Sequence, residues 1–245
     1  VKTKEEDEVE HLFTTNTHAD LLFFTSRGRI YQLKAYDVPA ASRTSKGQAM
    51  VNFLQLAPSE KVSAVFSFED KSDFKYLFMA TRGGVVKKCE VAEFANARRS
   101  GLIAITLKDE DVLQWVKPTS GNDEIVLVTA RGQSIRFKEK DVRPMGRGAG
   151  GVRGLNLKGK DRVVGMDVVN PEDAKKGRFD LLVIMENGYG KRTAISAFKT
   201  QKRAGKGIMA AKVTTKTGKI VSAKIVDPEQ KEVIVISKKG QIIRT

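Results

Sequence analysis

One pattern is written into this chain five times. An apolar run is followed by a short polar gap, a second apolar run, a basic or polar residue beside glycine, and a third run. The copies read HLFTTNTHADLLFFTSRGRIYQL, VSAVFSFEDKSDFKYLFMATRGGVVKK, VLQWVKPTSGNDEIVLVTARGQSIRF, VVGMDVVNPEDAKKGRFDLLVIMENGYGKRT and IVSAKIVDPEQKEVIVISKKGQIIRT. With Gly28, Gly83, Gly132, Gly188 and Gly240 as turn glycines, the steps are 55, 49, 56 and 52 residues. A later glycine (Gly47, Gly101, Gly151, Gly207) follows 18 or 19 residues on in four copies. Periods of this size belong to arrays of units too small to bury an apolar face alone. The register gives one repeat domain over 1–245: a tail at 1–7, copies at 8–56, 57–108, 109–158 and 159–216, and a part copy at 217–245.

The runs LLFF, YLFM, IVLV, LLVIM and VIVI are short, β-branched or aromatic, and bounded by Gly, Asp, Asn and Ser. Those are strand signals, and no window of comparable length carries a 3.6-residue period. Each turn glycine lies between two runs, where a tight hairpin needs a residue that tolerates positive φ. The expected fold is therefore all-β, a propeller-like array of about five four-stranded blades. The stretches near Tyr36–Ala41, Val91–Ala97, Asp141–Met145 and Ile195–Lys199 lack alternation. They are expected to be connections with room for a single helical turn each.

Lys and Arg number 44 against 29 Asp and Glu, a net charge of +15. Such a field favours polyanions, nucleic acid before a membrane surface. No stretch reaches the roughly 18 apolar residues of a membrane helix, and no secretory leader is expected. The charged opening VKTKEEDEVE, without an initiator Met, reads as a cut within a longer protein. Cys89 is the single cysteine, so no internal disulfide can form, which suits a cytoplasmic protein; a buried, inert thiol is expected.

The positive charge is patterned. Four residues after the turn glycine stand Gln32, Lys87, Arg136, Arg192 and Arg244. Since neighbours on a strand face opposite ways, this series is expected to point to solvent and form a basic rim. A second series precedes the later glycine: Arg43, Arg98 with Arg99, Arg147 and Arg203, with Lys46 and Lys206 directly before it in two copies. Arg29, Lys34, Lys88, Lys138, Arg153, Lys191 and Lys202 complete the candidate phosphate contacts. Edge-strand protection explains one basic series per blade but not two. The glycines of these loops are expected to let backbone approach a phosphate. A rim of this kind reads charge and shape, not base sequence.

The copies resemble the repeats of the DNA gyrase A C-terminal domain, the β-pinwheel. The likeness is carried by LLFFTSRGRIYQLKAYDVP with VNFLQL, by GRGAGGVRGLNL, and by MENGYGKRTAISAFKTQKRAGKGI, and it covers essentially the whole chain. It implies a rim that binds and bends duplex DNA and guides strand passage, so that the holoenzyme of gyrase A with gyrase B introduces negative supercoils. It implies no cofactor in this domain, no membrane, a monomeric isolated domain, and a bacterial cytoplasmic location. The family's Q-R-R-G-G-R/K-G box belongs to the first blade. Here the nearest string is Gln201, Lys202, Arg203, Ala204, Gly205, Lys206 and Gly207, in the last complete copy. The related C-terminal domain of DNA topoisomerase IV is the alternative, and a kelch- or WD-type protein-docking propeller is the alternative of another class. The opening segment is expected to pair with the final half-blade and close a five-bladed disc.

Catalytic chemistry is not evident. Two histidines, His11 and His18, and one cysteine cannot make a zinc constellation. GRGAGG and GYGKRT do not give the phosphate-loop pattern, and the acidic strings EEDE and DED lack the calcium-loop spacing. The chain is expected to be a non-catalytic domain of an ATP-dependent type IIA topoisomerase.

Overall fold

The computed structural model describes residues 14–42, 45, 47–68, 74–108, 110–227, 229, 234–236 and 242–244. Along the chain run β1 (Asp20–Thr25), β2 (Arg29–Lys34), β3 (Val62–Phe68), β4 (Tyr76–Thr81), β5 (Val85–Glu90) and β6 (Leu102–Ile103). Next come β7 (Leu113–Thr119), β8 (Glu124–Thr129), β9 (Gln133–Lys138), β10 (Val152–Arg153), β11 (Val163–Val169) and β12 (Asp180–Met185). The last are β13 (Gly190–Ala194), β14 (Thr200–Gln201), β15 (Ile208–Met209), β16 (Ile220–Val226), β17 (Ile234–Ile236) and β18 (Ile242–Arg244). Single 3-10 turns at Ala35–Asp37, Val91–Phe94, Glu139–Asp141 and Ile195–Ala197 fill the expected connections.

The sheets are ordered β3-β1-β2-β6, β10-β5-β4-β7 and β11-β8-β9-β14 with β15 also on β9, then β13-β12-β16 and the pair β17-β18. Sheet and sequence copy are offset by a strand. Each of the first three sheets takes a hairpin from one copy, a long strand from the head of the next, and its short outer strand from that next copy's later glycine segment. The fourth has the hairpin and the long strand, and the last pair is a hairpin of the fifth copy. The long strands β3, β7, β11 and β16 lie against one another and form a hub. The short strands β6, β10, β14 and β15 are therefore the outer edge.

Core packing explains why the apolar runs do not alternate. Leu22, Phe24 and Ile30 meet Leu77, Met79 and Cys89 of the second sheet. Phe78, Ala80 and Val86 meet Ile125, Leu127, Ile135 and Phe137 of the third. Val126 and Val128 meet Leu181, Val183 and Met185 of the fourth. A middle sheet is thus dry on both faces, and its strands read as continuous apolar runs.

The turn glycines need one correction. Gly28, Gly132 and Gly188 have φ of 73°, 92° and 81°, but in the second copy Gly84, at 79°, takes this place instead of Gly83. The ladders agree: Leu22 faces Gln32, Phe78 faces Lys88, Val126 faces Arg136 and Leu182 faces Arg192. Lys88, not Lys87, is the second-copy member of the series. The helix Pro171–Lys175, capped by the Asn170 side chain on the Glu172 amide, was unforeseen. Its signal was Asn-Pro followed by acids in the first turn. The expected closure by residues 1–3 lies outside the described residues.

Candidate nucleic-acid interface

The hairpin series does not form a free rim. Arg136 is buried: its Nε donates to Glu124 at 2.6 Å, its Nη2 pairs with the same carboxylate, and its Nη1 donates to Ile195 O at 3.0 Å and Phe198 O at 3.3 Å. Lys88 is buried over the Tyr76 ring, 3.6 Å from the Glu139 carboxylate and 3.3 Å from Glu139 O. Lys87 is fully buried; its ammonium donates to Ala104 O at 2.8 Å and to Arg147 O. Burial pushes its pKa below the usual lysine value, and burial pushes the neighbouring Cys89 thiol up. Lys87, Lys88 and Arg136 are therefore corrected from phosphate contacts to structural clamps. Alternation was read correctly, but the face opposite the core is itself covered by the next sheet. Among the described members of the series only Arg192, on the fourth sheet, stays exposed, and it holds Asp180 at 2.9 Å.

The pairing device repeats with its acid moved. Asp20, Glu124 and Asp180 head the first hairpin strand and pair with Lys34, Arg136 and Arg192. In the second copy Tyr76 stands at that place, and Glu139, from the following copy, neutralises Lys88. The buried Glu139 also accepts from Thr119 Oγ1 at 2.8 Å and the Gly121 amide at 3.0 Å.

The second series does lie on the outer edge. Segments 98–103, 144–153 and 200–209 run along the second hairpin strand of the preceding copy. Gln32 donates to Arg98 O, Met145 to Lys88 O, and β14 pairs in parallel with β9. Three of the four later glycines, Gly101, Gly151 and Gly207, are joints of this edge. A Cβ on Gly151 would sit 2.6 Å from Val86 O, and one on Gly207 would sit 2.3 Å from Ser134 O. Their expected use against a phosphate is replaced by close approach to the neighbouring sheet. The box-like string forms the turn between β14 and β15 and straddles two blades. Ala204 donates its amide to Gly154 O at 2.7 Å, and Gly205 O accepts from Asn156 at 3.0 Å.

Among the candidates, Arg98, Lys138, Arg153, Lys191, Lys202 and Lys206 are exposed along this edge and the adjoining strand ends. Arg99 is exposed but paired with Asp37 at 2.8 Å. Arg29 donates to Ser100 O at 2.9 Å, while Arg203 donates to Asp141 O at 2.9 Å and Arg153 O at 3.1 Å, so both guanidinium groups brace loops. Lys34 holds Asp20, and Arg147 is half-buried. Arg43, Lys46 and the Arg244 side chain lie outside the described residues.

One exposed series was missed. Arg27, Arg82 and Arg131 occupy the tips of successive hairpin turns. Its signal was already in the pattern as the basic residue beside the turn glycine. Among the described residues no group of His, Cys, Asp and Glu is arranged to hold a metal ion, and no helix is long and apolar enough to cross a membrane.

The family model of the DNA gyrase C-terminal domain, a β-propeller, matches residues 19–69, 75–120, 123–170, 180–227 and 231–245. Each of the first four matched blocks holds one hairpin and the long strand that completes its sheet, the same offset unit seen in the fold, and the fifth holds the hairpin β17-β18. The chain is 41% identical over 245 residues to the DNA gyrase A protein of Staphylococcus epidermidis, and 48% identical over 242 residues to that of Clostridium acetobutylicum. It spans 27% and 28% of those proteins, and 100% and 99% of its own length is matched. A solved C-terminal domain of DNA topoisomerase IV superposes with a TM-score of 0.86 at 25% identity, over 100% of this chain and 74% of that one. A solved DNA gyrase A C-terminal domain superposes with a TM-score of 0.76 at 28% identity, over 94% of this chain and 73% of that one. With its repeats, its sheets and the matched blocks in one register, the chain belongs to the DNA gyrase C-terminal domain family.

Proposed function

We propose that this chain binds and bends duplex DNA along the outer edge of its blades. It acts as the C-terminal domain of a gyrase A protein and steers strand passage toward negative supercoiling by gyrase A and gyrase B together. The chain supplies binding and bending; the cleavage and ATP chemistry belong to other parts of that enzyme. A bacterial cytoplasmic location goes with this reading.

The observation that carries it is the recurrence of exposed cations on the outer-edge segment of successive blades, though not at one fixed position within it. Arg98, Arg153, Lys202 and Lys206 lie on edge loops that each brace the preceding copy. An arc of charge with no base-reading element follows a phosphate backbone by charge and shape. Bending by 40–90° over 20–30 base pairs costs on the order of 1–6 kcal/mol, so contacts must be spread along the arc.

Duplexes of increasing length, titrated against salt, test the reading. Affinity should grow with length up to the arc. The slope of log K on log salt should be roughly −4 to −7 for about five to eight phosphate contacts. The triple variant Arg98→Ala/Arg153→Ala/Lys206→Ala should make the slope shallower by about 3 and reduce bending of an end-labelled duplex. A native slope shallower than about −2, or affinity independent of length, would overturn it. The TM-score of 0.86 with the topoisomerase IV domain favours a second reading with the same rim chemistry. Supercoiling against decatenation by the assembled enzyme separates the two.

A further inference from the structure

The tips of the hairpin turns form a second charged surface, which meets the outer edge at a cleft lined by Lys108, Asp111 and Arg153. Backbone hydrogen bonds link one turn to the next. Leu113 donates to Ser26 O at 3.1 Å, and Arg82 to Val112 O at 3.0 Å. Val163 donates to Arg82 O at 3.0 Å, and Ala130 to Arg162 O at 2.9 Å. Ile220 donates to Ala130 O at 3.0 Å, and Glu186 to Lys219 O at 2.8 Å. Four successive turns are therefore joined in one belt at one end of the blades.

The acids and the cations of that belt point different ways. Asp111 Oδ1 accepts from the amides of Gly83 and Val112, and Asp161 Oδ1 from those of Arg131 and Arg162. Glu60 is buried and accepts from the Thr25 and Tyr31 hydroxyls and the Ala57 amide. These carboxylates are engaged by amide and hydroxyl donors; at the fourth turn the exposed Glu186 accepts from the Lys219 amide at 3.2 Å, so the cations dominate over the first three turns. Arg82, Arg131, Lys108 and Arg162 are exposed, and among the described residues their side chains have no hydrogen-bond or ion-pair partner. Arg27 is exposed too, and its guanidinium touches only Pro58 O, at 2.7 Å.

We propose that this turn-side surface binds a second duplex, which crosses the one carried on the outer edge, so that the domain holds two DNA segments at once. Among the described residues the large exposed apolar side chains that adjoin these turns are Tyr189 and Val221, both beside the fourth, so the first three turns offer charge without an apolar docking patch. Exposed cations at the tips of three successive turns match a phosphate backbone and not a protein partner, whose interface would need a buried apolar centre; the fourth turn carries Glu186 in their place.

This inference rests on the outer edge being a DNA track, and its test keeps the two apart. Donor-labelled and acceptor-labelled duplexes of about 20 base pairs, too short to fold back, report bridging by energy transfer. End-labelling of one duplex reports bending. The native chain should bind two duplexes at low salt and bring them together. The variant Arg82→Glu/Arg131→Glu/Lys108→Glu should lose bridging at least tenfold in titration midpoint, while bending and melting temperature stay as in the native chain. A native stoichiometry of one without bridging overturns the second surface, and so does joint loss of bridging and bending in the variant, which would make both faces one track. Unchanged bending in the Arg98/Arg153/Lys206 variant overturns the outer-edge reading instead.

Discussion

Ala204 holds a backbone that glycine would hold at less cost. Its φ is +64°, in the left-handed region, at the fourth place of the box-like string where the family pattern has glycine. The clash of Cβ there costs roughly 1–2 kcal/mol, and the added freedom of the unfolded glycine chain returns about 0.4–1 kcal/mol of that. Ala204→Gly should therefore stabilise the fold by about 0.5–1 kcal/mol and raise the melting temperature by about 1–4 °C. Gly207→Ala should do the opposite, by more than about 2 kcal/mol, because the new Cβ would press on Ser134 O at 2.3 Å as well as occupy φ +71°. Thermal melting of the two variants beside the native chain decides both. This part of the site was legible: the string was found from its letters. What the letters did not carry was that its glycines face a neighbouring sheet, since such close approach depends on which strands become neighbours.

Hairpin cations show how one place in a repeat can serve two ends. Arg136 and Arg192 are equivalent in the ladder, yet the first is sealed between sheets and the second is open to water. Removing a buried partner strands its mate in low dielectric at about 3–5 kcal/mol, whereas an exposed pair contributes about 0–1 kcal/mol. Arg136→Ala should accordingly destabilise the chain severely through the stranded Glu124, and Arg192→Ala hardly at all, as read by denaturant midpoints. The basic series itself was correctly seen. The inference that it faces solvent was not, because it assumed one wet face per strand. The unbroken runs YLFM and IVLV already argued for two dry faces. The slip from Gly84 to Gly83 had a similar source: both glycines suit a turn by composition, and only pairing chooses between them.

Strand exchange decides how the molecule as a whole should unfold. β3 completes the first sheet although the second copy supplies it, β7 the second, β11 the third and β16 the fourth. Apart from the final pair β17-β18 no sheet comes from one copy, and three of the four apolar clusters lie between sheets, while the fourth, with Leu21, Phe23, Tyr31 and Leu33, backs the first sheet. In repeat arrays stability divides into the repeat's own term and the interface with its neighbour; here three of the four apolar clusters sit at interfaces. The five-fold pattern and the strand type were legible because they are local. The one-strand offset was not, because a period fixes spacing without fixing where a unit begins. Loss of one blade strips an edge from the next, so unfolding should be a single cooperative step over the arc. Trp115, the only tryptophan, sits in β7 opposite Ala80, so its fluorescence reports the junction of the second and third copies. Its transition in denaturant should coincide with that of far-ultraviolet circular dichroism, which averages over all sheets. Two separated midpoints would mean that blades unfold one by one and that the exchanged strands do not couple them.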